Sequence, residues 1–302
     1  MPHVQVLLAT YNGRTYLPEL LDSVFGQRGV DVEVLARDDG SDDGTWDLLA
    51  DYASRRPLVA HAGSHLGVVP GYFWLFERAS PTADYIALAD QDDVWLPDKL
   101  SRAIALLGAS HDTTPAMYCS RLTLVRADLS VLGCSEGAPR GPSFENSLVQ
   151  NIAPGCTIVL NRAAHTELLR GFPRIAAMHD WWIYQVIAGL GRVVYDDESR
   201  ILYRQHRDNV VGAAHTWLGG VTVRARRLFQ RRLRPFRTAQ LHELERIHGP
   251  RLPAPARAAL RRCLDAEHQP RERLQLAFGR DVVFQSALQQ MVFRCLVLLN
   301  RR

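Results

Sequence analysis

Tyr85-Ile86-Ala87-Leu88-Ala89-Asp90-Gln91-Asp92-Asp93-Val94-Trp95-Leu96-Pro97 sets a short uncharged, mostly apolar run directly against four polar residues, three of them acidic. The run reads as a buried strand and the acidic group as the loop at its carboxyl end. The same arrangement occurs twice upstream. Val4–Ala9 gives way to the turn signal Thr10-Tyr11-Asn12-Gly13, and Asp31–Ala36 runs into Arg37-Asp38-Asp39-Gly40-Ser41. Between these strands Tyr16, Leu17, Leu20, Leu21, Val24 and Phe25 recur at helical spacing. A second helical stretch covers Trp46–Ala53, a third apolar piece Leu58–Ala62, and a further helix Gly71–Ala79. This alternation predicts an α/β fold with a mainly parallel sheet and helices on both faces. In such sheets ligands lie beyond the carboxyl ends of the strands, where Thr10–Asn12, Asp38-Asp39 and Asp90–Asp93 all fall.

Composition fits this reading. The 302 residues are 47% apolar and 23% charged, an ordinary globular balance, and the length suits one large α/β domain or a domain of roughly 200 residues with an appendage. No stretch approaches the roughly 20 apolar residues that span a bilayer. Met1-Pro2-His3-Val4 offers neither a basic start nor a small-residue cleavage site, so no signal peptide is expected and a cytoplasmic location is. Cys119, Cys134, Cys156, Cys263 and Cys295 are scattered and form no CxxC pair, which argues against a disulfide framework and a zinc site.

The formal charge of +4 conceals an asymmetry. Residues 213–302 hold 18 arginines, no lysine and six acids, a net of +12, which leaves −8 for residues 1–212. We therefore divide the chain into an acidic body, 1–212, and a basic helical C-terminal segment, 213–302, meeting different partners. The first part continues with short strands near 117–125 and 157–160, a helix from about Asp180, and strands near 192–195 and 201–205. The second has helical periodicity with breaks expected at Pro235, Pro250, Pro253, Pro255 and Pro270.

Asp90 and Asp92, spaced i, i+2 at a strand end, would point the same way and suit a hard divalent cation, Mg²⁺ or Mn²⁺, that also holds substrate phosphates. The plain alternative is a solvated acidic turn. No Gly-x-Gly-x-x-Gly or Gly-x-x-x-x-Gly-Lys-Ser/Thr follows a strand, so a metal is the expected means of neutralising phosphate. A carboxylate at the end of the neighbouring strand suits the imide N–H of a uracil or thymine, although Ser41, Asp42 or Asp43 also reads as the cap of the following helix.

Leu8-Ala9-Thr10-Tyr11-Asn12-Gly13, Asp38-Asp39-Gly40-Ser41 and Ala89-to-Pro97 together resemble the family 2 glycosyltransferases. His179-Asp180-Trp181-Trp182 and Tyr203-Arg204-Gln205-His206-Arg207-Asp208-Asn209-Val210-Val211-Gly212 agree, and the set is especially similar to the rhamnosyltransferase-like branch over about residues 4–212. The resemblance implies a glycosyltransferase A type nucleotide-sugar-binding sandwich, transfer from a dTDP- or UDP-linked sugar, and inversion at the anomeric carbon. It implies that Thr10, Tyr11, Asn12 and Asp39 hold the base and ribose, that Asp90 touches the ribose, and that Asp92 ligates the metal. Asp180 falls at the general base and His206 at a second metal ligand or diphosphate contact. Arg204 and Arg207 are candidates for the diphosphate, and Trp181 and Trp182 for the acceptor. A carboxylate beside two tryptophans would be partly desolvated and its pKa raised; without the resemblance, Asp180 reads as a helix cap and the tryptophans as core. Where the family often has Asn-x-Gly-x-x-x-Asn, this chain has His65-Leu66-Gly67-Val68-Val69-Pro70-Gly71, so both asparagines are missing from that loop.

Two other functions use similar residues: a nucleotidyltransferase, which lacks here its usual Gly-rich loop, and a nucleotide-sugar-binding protein without transfer activity, which would have no need of Asp180. For the tail, Arg224, Arg226, Arg227, Arg231, Arg232, Arg234 and Arg237 cluster among apolar residues, and a broad apolar stretch runs from Val282 to Leu299. It reads equally as a segment lying on an anionic membrane near a lipid-linked acceptor, at the inner face of the plasma membrane, or as helices packed on the body or on a second copy. Nothing in it reads as a nucleic-acid-binding motif.

Overall fold

The computed structural model describes residues 1–108, 113–205 and 236–299. A seven-stranded sheet organises them. Its strands are β1 (His3–Thr10), β2 (Asp31–Asp38), β3 (Leu58–Ala62), β4 (Tyr85–Ala89), β6 (Ala116–Ser120), β9 (Val159–Asn161) and β10 (Arg192–Asp196), in the order β10-β6-β9-β4-β1-β2-β3. All pairings are parallel except those of β9, which runs antiparallel to both β4 and β6. The expected mainly parallel α/β sheet is therefore present, with one reversed strand that periodicity cannot reveal.

The helices α1 (Leu17–Phe25), α2 (Thr45–Ala53), α3 (Val68–Arg78), α4 (Lys99–Leu107), α6 (Arg162–Leu168) and α7 (His179–Leu190) cover the sheet, and α5 (Phe144–Ser147) is a single turn. Alternation along β1 shows why both faces need cover. Val4, Val6 and Leu8 join a core with Leu17, Leu20, Leu21 and Leu100, while Leu7 joins another with Tyr72, Leu75, Phe76 and Trp182. The apolar strands are continuous because each serves two cores.

The single strand expected over 117–125 is two strands. It breaks at Arg121-Leu122, and Thr123–Val125 (β7) enters a second sheet with β5 (Val94–Trp95), β8 (Val131–Cys134) and β11 (Ile201–Arg204), ordered β5-β11-β7-β8. This small sheet brings Arg204 back beside the acidic loop. The helix expected from Gly71 begins earlier, at Val68, so Pro70 lies in its first turn, where its missing N–H costs no bond.

Within the C-terminal segment, α8 (residues 236–247), α9 (Ala254–Asp265), α10 (Pro270–Phe278) and α11 (Ala287–Leu298) are described, and α9 and α10 begin at prolines rather than breaking there. These helices share the core of the body: Leu241, Leu244, Leu260 and Phe293 belong to the same cluster as Trp182 and Leu148. Polar bonds reinforce the seam. Gln240 donates to Gln185 Oε1 at 2.8 Å and accepts from Ala177 N–H at 2.7 Å, and Arg251 forks onto Glu167 at 2.9 and 3.0 Å. The described part of 213–302 thus packs on the body, whereas the arginines from Arg224 to Arg234 lie outside the described residues. No described helix is long and apolar enough to cross a membrane.

Because Leu244 is fully buried in the shared core, Leu244→Ala is expected to lower the stability of the whole molecule by about 2–5 kcal/mol. Urea denaturation should show a single shifted transition; a separate early transition for the C-terminal helices would contradict the shared core.

Candidate active site

Parallel pairing aligns the carboxyl ends of the central strands: Thr10 lies opposite Asp38, and Leu8 opposite Ala89. The residues that end β1, β2 and β4 consequently share one rim. Thr10 Oγ1 donates to Asp38 Oδ1 at 3.0 Å, and Ser41 donates to the same carboxylate through Oγ at 2.6 Å and N–H at 3.0 Å. Asn12 takes a positive φ of 48°, as asparagine tolerates, and bonds with Ser41 and Asp42 across the loops. Gln91 clasps the Tyr11 backbone in both directions at 2.9 Å, tying the β4 loop to the β1 loop.

Asp39 is more occupied than sequence suggested. It accepts from Leu66 N–H at 2.9 Å, from Gly67 N–H at 2.8 Å and from Arg37, and His65 Nδ1 lies 3.1 Å away. Burial raises its pKa, but these donors outweigh that and hold it below the usual carboxylate range. Its visible work is to order the 63–67 loop. What the rim leaves open is Tyr11, 47% exposed, with the His65 ring 4.6 Å away and tilted by 60°, an aromatic edge at the mouth of the crevice.

The acidic segment is a turn rather than an extension of β4, so the strand alternation that grouped Asp90 with Asp92 does not apply; the turn itself gathers the carboxylates. Tyr72 OH donates to Ala89 O at 2.7 Å and to Asp90 Oδ1 at 3.2 Å. Burial, then the charges of Asp92 and Asp180, push the Asp90 carboxyl up to about 7. Asp93 is fully buried and raised well above the usual range by burial and by its neighbours Asp92 and Asp90, while its Oδ1 accepts Arg204 N–H at 3.2 Å. Beneath it Lys99, also buried, stands 3.4 Å over the Trp95 ring, and desolvation lowers it to about 7. Donor atoms of Asp90, Asp93 and Cys156 all lie within 4.8 Å of one another.

Asp180 stands in the first turn of α7 and does not cap it in the expected way; the N-cap is Met178. Its Oδ1 accepts Trp181 N–H at 2.6 Å, and Asn151 and the Gly155 N–H also bond to the carboxylate. Burial nevertheless dominates and raises the group to about 6. Glycine at 155 permits the approach: a Cβ there would stand 3.0 Å from His179 Nε2 and 3.6 Å from Asp180 Cβ. His179 in turn stacks on Tyr72 at 3.9 Å, linking the helix that carries Asp180 to the ring that bonds Asp90.

With this geometry, comparison with known proteins defines the class. Residues 5–122 match the family described as Glycosyl transferase family 2. The sequence is similar to the dTDP-rhamnosyl transferase RfbG of Shigella flexneri, 27% identical over 224 residues, covering 68% of this chain and 74% of that one. Among solved structures the fold is similar to S. aureus TarS 1–349 in complex with UDP-GlcNAc, with TM-score 0.60, 15% identity, and coverage of 100% of this chain and 89% of that one. It is also similar to the mannosyltransferase PcManGT of Pyrobaculum calidifontis in complex with GDP-Man and Mn²⁺, with TM-score 0.51, 15% identity, and coverage of 99% and 87%. These likenesses establish the glycosyltransferase A type fold.

The structure brings Thr10, Tyr11, Asn12, Asp39, Asp90, Asp92 and Asp180 to one end of the sheet. His206 and Arg207 lie outside the described residues. Arg204 and the two tryptophans differ from expectation. Arg204 is buried, donating to the Asp92 carbonyl at 2.9 Å, to the Ala127 carbonyl and to Glu19, with its guanidinium 4.4 Å from the Tyr16 ring; it braces the acidic loop instead of facing a diphosphate. Trp182 is wholly buried, and Trp181 is buried with its indole N–H donated to Ser147 O at 2.7 Å, so both rings pack the core and present no face to an acceptor. Sequence reading passed over Gln91, Tyr72, His179, Asn151 and Cys156. Gln91 and His179, both inside quoted motifs, carried a local signal; Tyr72, Asn151 and Cys156 come from distant segments.

Arg204→Leu removes the bonds to the Asp92 and Ala127 carbonyls, worth about 0.5–1.5 kcal/mol each at these part-buried positions. The variant is expected to melt at lower temperature and to bind a nucleotide diphosphate more weakly by calorimetry. Unchanged affinity in the folded variant would show that the loop needs no brace.

Proposed function

We propose that this chain transfers a sugar from a nucleotide-diphosphate donor to a hydroxyl of a glycan or lipid-linked acceptor, with inversion, during assembly of a cell-surface polysaccharide. The observation that carries this reading is Asp180, raised to about 6 and close enough to Asp90 to raise that group as well. A binding protein has no use for a desolvated carboxylate beside its donor site, whereas an inverting transfer requires one. The likeness to RfbG supports dTDP-rhamnose as donor.

The donor's base stacks at Tyr11 and His65, and Asn12 and the Asp90 carboxylate approach the ribose. The acceptor hydroxyl gives its proton to Asp180 as its oxygen forms the bond to the anomeric carbon; the bond to the diphosphate breaks on the opposite face, and the nucleoside diphosphate leaves with the electron pair. Asn151 and the N–H groups of Gly155 and Trp181 aim the base. A divalent cation suits the crowding of Asp90 and Asp92, whose mutual repulsion it would relieve, and their hard oxygens favour Mg²⁺ or Mn²⁺ over softer metals. Asp92, assisted by Asp90, would hold it, and when bound it supplies charge for the departing diphosphate.

Since the ionised form of Asp180 is the base, kcat/KM should climb about tenfold per pH unit below roughly 6 and level off above it. Asp180→Asn is expected to abolish transfer, by at least about 100-fold, while sparing nucleotide-diphosphate binding by calorimetry. Full activity in that variant would remove Asp180 as the base.

Chelation should stop transfer and Mn²⁺ or Mg²⁺ restore it. Asp92→Ala is expected to raise the metal concentration required at least about tenfold, one lost ligand being worth more than about 1.4 kcal/mol. An unaltered requirement would assign the cation elsewhere.

A further inference from the structure

The last described helix, α11, meets two different surroundings. Gln290, Phe293 and Val297 are buried against the body, whereas Leu288, Met291, Val292, Cys295 and Leu299 are exposed, Leu288 and Leu299 each at 64%. At 3.6 residues per turn the exposed five share one arc opposite the buried three. At the edge of this arc, sharing Met291 with it, opens a cavity of about 310 Å³ whose wall includes Arg140, Arg280 and Arg294 and, among the described residues, no acidic one. The nearby Asp281 is already engaged by Arg262 at 2.5 Å. Arg294 Nε is buried with no hydrogen-bond partner among the described residues.

We infer that this face docks on an anionic phospholipid bilayer, with a lipid phosphate in the arginine-lined cavity and the apolar arc of α11 seated between headgroups and acyl chains. Each half needs the other. Arginines alone would suit many polyanions, but an exposed Leu, Met and Val arc has no complement on a nucleic acid. Pairing with a second copy would set Arg280 and Arg294 of both molecules around one apolar seam with no acid to offset them. A membrane surface meets both requirements, since arginine contributes near anionic headgroups and the arc gains from burial at the interface. The inference rests on the proposed lipid-linked acceptor for its purpose: it places the enzyme where such an acceptor is held.

Flotation of the full chain at low salt, with vesicles of phosphatidylcholine alone and of equimolar phosphatidylcholine and phosphatidylglycerol, tests this. The chain is expected to float with the anionic vesicles only. Arg280→Gln, at an exposed position, should weaken binding about fivefold, and Met291→Glu should abolish it, with thermal melting and nucleotide-diphosphate binding unchanged in both. Absence of flotation overturns the inference. So does equal flotation of the variants, which would assign binding to other residues. Stabilisation of the chain by inorganic phosphate without flotation would mark a free-anion site, and a dimer that Met291→Glu dissociates would mark a contact between copies; either result overturns membrane docking. Transfer is measured separately, so a chain that floats but does not transfer fails the catalytic reading alone.

Discussion

Four carboxylates, Asp90, Asp92, Asp93 and Asp180, are gathered around the end of one buried strand, and their mutual repulsion in a poorly solvated crevice is the constraint to which the surrounding structure answers. Burial raises three of them, and the neighbouring carboxylate charges add to it at Asp90 and Asp93. The chain tolerates the crowding by fastening the backbone that bears it. Arg204 grips the Asp92 carbonyl and, through its N–H, the Asp93 carboxylate; Tyr72 holds Asp90; and helix-end N–H groups hold Asp180. A loop of like charges does not keep one conformation without such bracing, and the bracing comes from α3, the small second sheet and α7 together. A site built this way is costly when empty of positive charge, which is the physical reason it suits a cation and a diphosphate.

The C-terminal helices belong to the same economy of packing. α7 is buried almost all round, so it needs neighbours on the side away from the sheet, and Leu241, Leu244 and Leu260 supply them. Asp180 therefore sits on a helix clamped between the sheet and the tail. The tail stabilises the body with its inner face and leaves the outer arc of α11 uncovered. Packing and docking, which stood as alternatives on sequence grounds, fall on two sides of one helix.

The parts of this architecture that were legible are those written in local patterns. β1, β2 and β4 appear at or within a residue or two of where apolar runs place them, because a strand buried on both faces leaves a continuous signature, and β3, an exposed edge strand, also falls on its apolar run. The end of β4 could be read because a polar cluster follows it directly. Other features were not local. The reversal of β9 and the break between β6 and β7 depend on which sheet each segment joins. Trp181 and Trp182 looked like acceptor contacts because a sequence marks an aromatic pair without marking which way the helix turns them. Arg204 looked like a free cation because its partners, Glu19, Asp92 and Ala127, lie 77 or more residues away in the chain.

By itself the sequence determined the class: alternating strands and helices, carboxylates at strand ends, and a charge division that separates an acidic body from a basic tail. Those are properties of residue order and composition, and they survive without coordinates. Only the tertiary structure decided which charges face one another. It set Asp180 beside Asp90, gave Asp39 to the backbone of the neighbouring 63–67 loop, buried Arg204 as a brace and turned an apolar arc outward beside three arginines. Solvation and Coulomb energies depend on distance and burial, and both are fixed by packing between segments that the sequence keeps far apart.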